Sequence, residues 1–181
     1  PGVLVNSLLA LGVTQLPPLL ERDYDISMDG GLVLWMTTAV FLHALGTVGV
    51  PGVWAQSLYR TVWWYDHLTH AISSTLVAGV GYASVRAVEE HTSTVSFPPA
   101  FTFAFILVVT IAFGVGWEVV EFAISSLDGV VGANVLTQYG LGDTMLDLIF
   151  DIVGGLAVAA WGTAYLSDLS GSLAAYLDRR V

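Results

Sequence analysis

The sequence predicts an all-α protein, a polytopic transmembrane bundle of about five helices that forms a single domain. Hydrophobic residues make up 55% of the 181 residues, and charged residues only 11%. A soluble domain carries about 25% charged residues, so this chain has too few to cover a surface that faces water. Five apolar segments also approach the roughly 17–25 residues that a membrane-spanning helix needs.

Charged or helix-breaking stretches separate the five predicted spans. The first span ends near Pro17-Pro18, before the charged residues of ERDYD, and the second ends at GVPG. Pro98-Pro99 suits the start of the fourth span, because proline is favoured in the first turn of a helix. The approximate bounds are residues 3–20, 30–50, 65–88, 98–126 and 141–166.

Two flanking segments, about residues 51–64 and 167–181, carry apolar side chains at helical spacing. The stripes consist of Trp54, Leu58, Val62 and Tyr65 in the first segment, and of Leu166, Leu169, Leu173 and Leu177 at the second. Aromatic density in the first suits the headgroup region of a membrane. We expect both segments to be interfacial, although either stripe could equally pack on its own bundle.

The arginines predict the orientation of the chain. With five spans, the loops after the first and third spans share one side with the C-terminus, and that side holds Arg22, Arg86, Arg179 and Arg180. The other side holds only Arg60. Because basic residues favour the cytoplasmic side, we expect a multi-pass protein of the plasma membrane with a cytoplasmic C-terminus.

Composition also excludes several classes of function. The chain has no Cys, so disulfides, thiolate metal sites and cysteine nucleophiles are excluded. It has no Lys, and five Arg face fifteen acidic residues, a balance that repels nucleic acid and is typical of proteins adapted to high salt. The expected partner is membrane lipid, and a homo- or hetero-oligomer within the membrane is compatible with the sequence.

Ionisable side chains interrupt four of the apolar segments, where they are energetically costly. Asp66 and His70 are four residues apart, and Glu118 and Glu121 are three apart, so the members of each pair share a helix face. Asp143, Asp147 and Asp151 repeat every four residues along the fifth span, and His43 lies near the end of the second. Asp143 alone could be a helix N-cap, but the three aspartates cannot all be caps.

The alternating direction of the spans brings these groups to one level. His43 ends an outward-running helix, Asp66 begins the next inward-running one, and Glu118 lies about 28 Å along another outward-running span. We therefore expect a single pocket near the outer leaflet, formed by His43, Asp66, His70, Glu118, Glu121, Asp143 and Asp147. His67 points about 100° away from Asp66 on its helix, so we expect it to be interfacial and outside the pocket.

This set of side chains is typical of a metal site. Five carboxylates cannot all stay charged in a dry space without cations, and helical bundles use inward-facing Glu and His side chains to hold two metal ions. Oxygen and imidazole ligands favour Zn²⁺, Mn²⁺ or Fe²⁺ over Mg²⁺ or Ca²⁺. The competing solution is protonation with hydrogen bonding, as in a proton relay.

The same motifs resemble those of the YjdF-like inner-membrane proteins of bacteria and archaea, over about residues 30–160. The matching stretches are FLHALG, YDHLTH, WEVVEF and GDTMLD, and they carry His43, Asp66, His70, Glu118, Glu121, Asp143 and Asp147. Departures are Ala71 for Phe, Trp117 for Tyr, Phe122 for Trp and Met145 for Gln, with Asp151 where a small residue is usual. The resemblance supports the site formed by these residues but implies no established activity.

We therefore expect a membrane protein with a metal-binding site that is also a candidate catalytic site. A metal-activated water attacking a lipid or lipid-linked substrate is the simplest mechanism, with Glu118 or Glu121 as the general base; oxidative di-iron chemistry fits the same ligands. One alternative is transport of metal ions or protons, although transporters usually place their sites near the midplane within internal repeats, and the chain shows no repeat. The other is a non-catalytic subunit of a larger membrane complex, in which the polar cluster only joins helices.

Overall fold

The computed structural model describes residues 2–49, 56–92, 94–131, 138–161 and 167–179, and every regular element within them is a helix. In chain order these helices are α1 (Gly2–Thr14), α2 (Leu16–Tyr24), α3 (Gly30–Gly46), α4 (Leu58–Thr61), α5 (Tyr65–His91), α6 (Pro99–Val131), α7 (Leu141–Trp161) and α8 (Ser167–Asp178). No described residue belongs to a β-strand, which confirms the predicted all-α fold class.

Three helical stretches are long and apolar enough to cross a membrane. They are Val3–Tyr24, Tyr65–His91 and Pro99–Leu127, while Gly30–Gly46 is a shorter apolar helix. The predicted fourth span is therefore part of one continuous helix, as expected. The total of five spans stays a prediction, since the length and composition of these helices support three of them directly.

The first helical stretch extends beyond its predicted bound at residue 20. Pro17 and Pro18 lie in the first turn of α2, where proline removes no intrahelical hydrogen bond, so they start a second helical segment and do not end the span. That segment stops at Asp25, which adopts a left-handed conformation with φ of 57°. Asp29 then caps α3, because its Oδ1 accepts hydrogen bonds from the backbone of the first turn at 2.8 and 3.1 Å.

Helix α5 is the central element of the bundle. It packs against α3, α6, α7 and α8, and its most extensive interface is with α7. The two helices approach very closely at Gly154, where an added Cβ would overlap both Ser74 Oγ and the carbonyl oxygen of Ala71. Small residues at helix interfaces permit such backbone approach in membrane proteins, and the polar side chains of α5 and α7 are thereby brought face to face.

The C-terminal leucine stripe packs on the bundle, which was one of its two predicted alternatives. Leu169 of α8 is buried against Ile26 and Ala83, with Leu173 and Tyr176 partly buried beside them. Within the other flanking segment, the described part contains the short helix α4. Trp54 and Leu166 lie outside the described residues.

Arginine-bearing helix ends meet at one end of the bundle. Arg179 at the end of α8 forms an ion pair with Asp25 after α2, at 3.1 Å, and Asp178 pairs with His91 at the end of α5. Arg86 pairs with Glu89 one turn before that end. The predicted grouping of Arg22, Arg86 and Arg179 on one side thus agrees with the contacts, whereas Arg180 lies outside the described residues.

Replacing Gly154 by Ala tests the close approach of α5 and α7. The new methyl group would meet a backbone carbonyl, which cannot rotate away, so the helices must separate. We expect a loss of stability of about 1–3 kcal/mol from overpacking, seen as a lower thermal melting temperature in detergent.

Gly142→Ala is the matched control on the same helix, because nothing lies within 4 Å of its added Cβ. This substitution should leave the melting temperature unchanged or raise it, since Ala favours a helix over Gly by about 1 kcal/mol. Equal melting temperatures for the two variants would mean that α5 and α7 do not depend on this contact.

Candidate functional site

His70 lies at the centre of a buried polar cluster where α5, α6 and α7 meet. Its Nε2 is 3.9 Å from Asp66 Oδ1 and 3.9 Å from Glu118 Oε1. Its Nδ1 is 3.3 Å from Asp151 Oδ1. Asp66 and Glu118 are therefore much closer than the roughly 15 Å that one two-metal site and its surroundings span, as the single-pocket prediction requires.

His67 belongs to this cluster, so the prediction that it is interfacial is wrong. The side chain is buried, with Nδ1 hydrogen-bonded to Asp147 Oδ1 at 2.8 Å and the ring stacked on Phe150 with centroids 5.2 Å apart. The prediction relied on the angle of about 100° between His67 and Asp66 around the helix axis, and this angle did not show which side chains lie near His67. His67 and His70 are three residues apart and thus neighbours on the helix surface, which was the available signal.

Asp151 is also part of the cluster, although the family pattern has a small residue at this position. Its carboxylate is buried and lies beside His70. Gly114 of α6 makes room for it, because a Cβ at Gly114 would overlap Asp151 Oδ2. The spacing of four residues from Asp147 had indicated a shared face, and α7 presents both carboxylates to the two histidines of α5.

Within the described part of the chain, two buried carboxylate oxygens have no hydrogen-bond partner. Glu118 accepts a hydrogen bond from Thr144 Oγ1 at 2.7 Å through Oε2, but its Oε1 has none. Asp151 Oδ2 is likewise unpartnered. Leaving a buried acceptor unsatisfied costs about 1–3 kcal/mol, and more for a charged group, so both oxygens are suited to binding a cation or a proton.

His43 lies near the cluster but is engaged by other side chains. The Tyr59 hydroxyl lies 2.9 Å from His43 Nδ1 and also donates to the backbone carbonyl of His43 at 3.3 Å. His43 Nε2 lies 3.2 Å from Asn6 Oδ1. Both ring nitrogens thus have hydrogen-bond partners, and no pattern in the sequence indicated these partners from distant segments.

Glu121 occupies a similar peripheral position. Its Oε1 accepts a hydrogen bond from Trp117 Nε1 at 3.1 Å. Glu121, His43, Asp66, His70 and Asp151 all line one cavity of about 320 Å³ between α1, α3, α5 and α6. Of the seven predicted site residues, the cavity lining includes His43, Asp66, His70 and Glu121, and it does not include Glu118, Asp143 or Asp147.

Two groups of side chains have the spacing of metal ligands. One consists of Asp66, His70 and Asp147, and the other of His67, Asp143 and Asp147; the ligand atoms within each group all lie within 4.8 Å of one another. Asp147 is shared by both groups and is almost completely buried. His43, Glu118 and Glu121 belong to neither group, although Glu118 adjoins His70.

Three described arginines form ion pairs outside the cluster: Arg22 pairs with Asp23, Arg86 with Glu89 and Glu90, and Arg179 with Asp25. Arg60 forms a hydrogen bond with Tyr139, and within the described part of the chain no ion pair joins an arginine to a carboxylate of the cluster. The chain has no lysine. Its carboxylates can be balanced by the two imidazoles, by bound protons or by a metal ion, and buried charges without such partners are strongly disfavoured.

Comparison with known proteins finds similarity to a family of predicted membrane proteins. Residues 1–168 match a family described as a predicted membrane protein (DUF2238). An uncharacterized protein of Thermotoga maritima is 32% identical over 126 residues, which cover 70% of this chain and 58% of that protein. The match thus spans little more than half of the relative's length. No solved structure matches the chain.

Replacing Thr144 by Val tests whether Glu118 depends on its one hydrogen-bond donor. The variant keeps the shape of the side chain but removes the hydroxyl that donates to Glu118 Oε2, so neither oxygen of this buried carboxylate keeps a hydrogen-bond donor among the described residues. It also removes the acceptor of Gln138 Nε2. We expect a decrease in stability of about 1–3 kcal/mol, measured as a lower melting temperature in detergent.

Thr38→Val is the control, because the Thr38 hydroxyl only donates to the carbonyl of Leu34 within its own helix. Removing that bond should change the melting temperature little. If Thr144→Val and Thr38→Val behave alike, the contact between Thr144 and Glu118 contributes nothing measurable.

Proposed function

The chain belongs to the DUF2238 family of predicted membrane proteins, and we propose that its buried histidine and carboxylate cluster binds divalent metal ions inside the helix bundle. The observation that carries the proposal is the pair of ligand groups that share the buried Asp147, within each of which the ligand atoms lie within 4.8 Å of one another. The Oε1 of Glu118 adds support, because it is buried without a hydrogen-bond partner among the described residues and lies 3.9 Å from His70 Nε2. No described arginine pairs with this carboxylate. A cation supplies the missing partner directly.

The two ligand groups support a site for two ions that share Asp147. A carboxylate has two oxygens, so Asp147 can contact an ion in each group, as bridging carboxylates do in helical di-metal proteins. Each group adds one histidine and one further aspartate. This mixture of imidazole and oxygen ligands, without sulfur, favours Zn²⁺, Mn²⁺ or Fe²⁺.

A hydrolytic reaction on a lipid or lipid-linked substrate is the chemistry this site supports best. A bound divalent ion makes water a stronger nucleophile near neutral pH. Glu118 or Glu121 would accept a proton from that water as its oxygen forms a bond to the carbonyl carbon or phosphorus of an ester. The ester C–O or P–O bond then breaks, and the same carboxyl group returns the proton to the leaving oxygen, so that an alcohol and an acid are released.

We place the cluster in the outer half of the plasma membrane. The support is the set of arginines at the opposite end of the bundle, where α2, α5 and α8 end, because basic residues favour the cytoplasmic side. The C-terminus follows α8 and is therefore expected in the cytoplasm.

Metal stoichiometry of purified variants tests the two-ion site. We expect the wild-type protein to retain one ion per ligand group after dialysis without chelator. Asp143→Asn and His70→Gln each alter a ligand of one group, so each should lose about half of the metal. Asp147→Asn alters both groups and should lose nearly all of it. Elemental analysis gives the metal content and identity together.

His67→Gln tests the second ligand group at another residue, because His67 belongs to it together with Asp143 and Asp147. The purified His67→Gln variant should contain about half of the wild-type metal. His91→Gln and Asp178→Asn are matched controls at the other end of the bundle and should keep the wild-type content. Near-zero metal in every preparation would reject the proposal and favour a proton relay or a structural cluster. Full metal in every variant would place the ions elsewhere.

Cysteine labelling in intact cells tests the orientation. The chain has no native Cys, so Gln56→Cys reports on the cluster end and Thr94→Cys on the arginine end; both positions are exposed. A membrane-impermeant maleimide should label Gln56→Cys in intact cells and Thr94→Cys only after lysis. The reverse pattern would place the cluster on the cytoplasmic side.

A further inference from the structure

The cavity beside the cluster has both ionisable and apolar side chains in its lining. The ionisable ones include Asp66, His43 and Glu121, and the apolar ones include Val77 of α5 and Val13 of α1. Val77 follows Asp66 by eleven positions, which corresponds to about 16 Å along the helix axis. The lining therefore extends from ionisable side chains to a deeper part that is mainly apolar, with Ser74 and Thr110 among its polar residues.

One side of this cavity lacks a packed helix interface. Helix α1 packs on α3, α3 on α5 and α5 on α6, but α1 and α6 form no interface of comparable extent. Leu9 of α1 and Phe113 of α6 line the cavity and are nevertheless 59% and 58% exposed. These two side chains therefore flank a lateral opening between α1 and α6.

Both helices that flank the opening belong to stretches that are long and apolar enough to span a membrane. An opening between two such helices is expected to face the bilayer. Its flanking side chains are apolar, so they would not stabilise water there. A ligand arriving from this direction has an apolar portion that fits Leu9, Val13 and Phe113.

We propose that this cavity binds the hydrocarbon chain of a membrane lipid, which enters between α1 and α6. A volume of about 320 Å³ is within the range of about 300–1,000 Å³ typical of small-molecule sites. The polar end places the headgroup of the same lipid beside Asp66, His70 and Glu121. This placement of the headgroup rests on the proposed metal site, whereas binding of the chain depends only on the apolar part of the cavity.

Photo-crosslinking tests the proposal with the purified full chain in nanodiscs that contain phosphatidylglycerol carrying a diazirine in one acyl chain. After illumination and proteolysis, mass spectrometry should find labelled peptides concentrated at the cavity-facing residues of α1 and α6. Val13→Phe should reduce this labelling at least fivefold, because the larger ring fills the apolar end. Ala10→Phe, from the same lining, repeats the test with a second position.

Val5→Phe is the matched control, because Val5 is also on α1 and exposed but does not line the cavity. It should label like the wild type, and melting temperatures would show that all variants are folded. Labelling spread evenly over the exposed apolar faces, and unchanged by Val13→Phe and Ala10→Phe, would reject the proposal. So would a disulfide-linked dimer formed by Leu9→Cys or Phe113→Cys in the same nanodiscs, since a second copy would then cover the opening; the chain has no other Cys.

The two proposals can fail separately. Val13→Phe should keep the wild-type metal content, because it lies at the far end of the cavity from the ligand groups. Asp147→Asn should lose metal but still be labelled through the acyl chain. A variant that loses labelling but keeps the wild-type metal content is altered only in binding of the lipid chain. A variant that loses metal but is labelled normally is altered only at the metal site.

Discussion

The close approach of α5 and α7 is the constraint on which the rest of the structure depends. Gly154 allows the two backbones to meet at Ala71 and Ser74, and this contact lies one turn or less from Asp151. At this separation Asp147 reaches His67 and Asp151 reaches His70. A wider spacing would leave the imidazoles and carboxylates in the same order along their helices but out of contact.

The buried carboxylates of this cluster need a cation or bound protons to balance their charge. Asp147, Asp151 and Glu118 are buried, and two imidazoles cannot balance every nearby carboxylate even if both are charged. Removing a charge from water costs several kcal/mol unless it is paired. The arrangement differs from a hydrogen-bonded joint between helices, because Glu118 and Asp151 each retain an oxygen without a partner. A cluster built only to join helices would gain stability by satisfying those oxygens.

Much of the fold and the composition of the site could be predicted from the sequence because both are encoded by local spacing. The lengths of the apolar segments predicted the helices. The spacing of four residues placed Asp66 on the same helix face as His70, and Asp147 on the same face as Asp151. Angles measured from one reference residue were less reliable, as His67 shows. The hydrogen bonds of His43 could not be predicted, since Asn6 and Tyr59 reach it from segments 37 and 16 residues away.

Of the two helices that flank the opening, α6 carries a residue of the cluster, Glu118, whereas α1 carries none of the proposed ligands. Helices α5, α6 and α7 pack extensively on one another, whereas α1 packs mainly on α3. Elements with few buried contacts open at lower free energy than a packed core, so widening the cavity would displace α1 before it disturbed the cluster. Sites held on rigid elements keep their geometry more accurately than sites on mobile ones. A lipid could thus enter and leave past α1 while His70, Asp147 and Glu118 keep their positions.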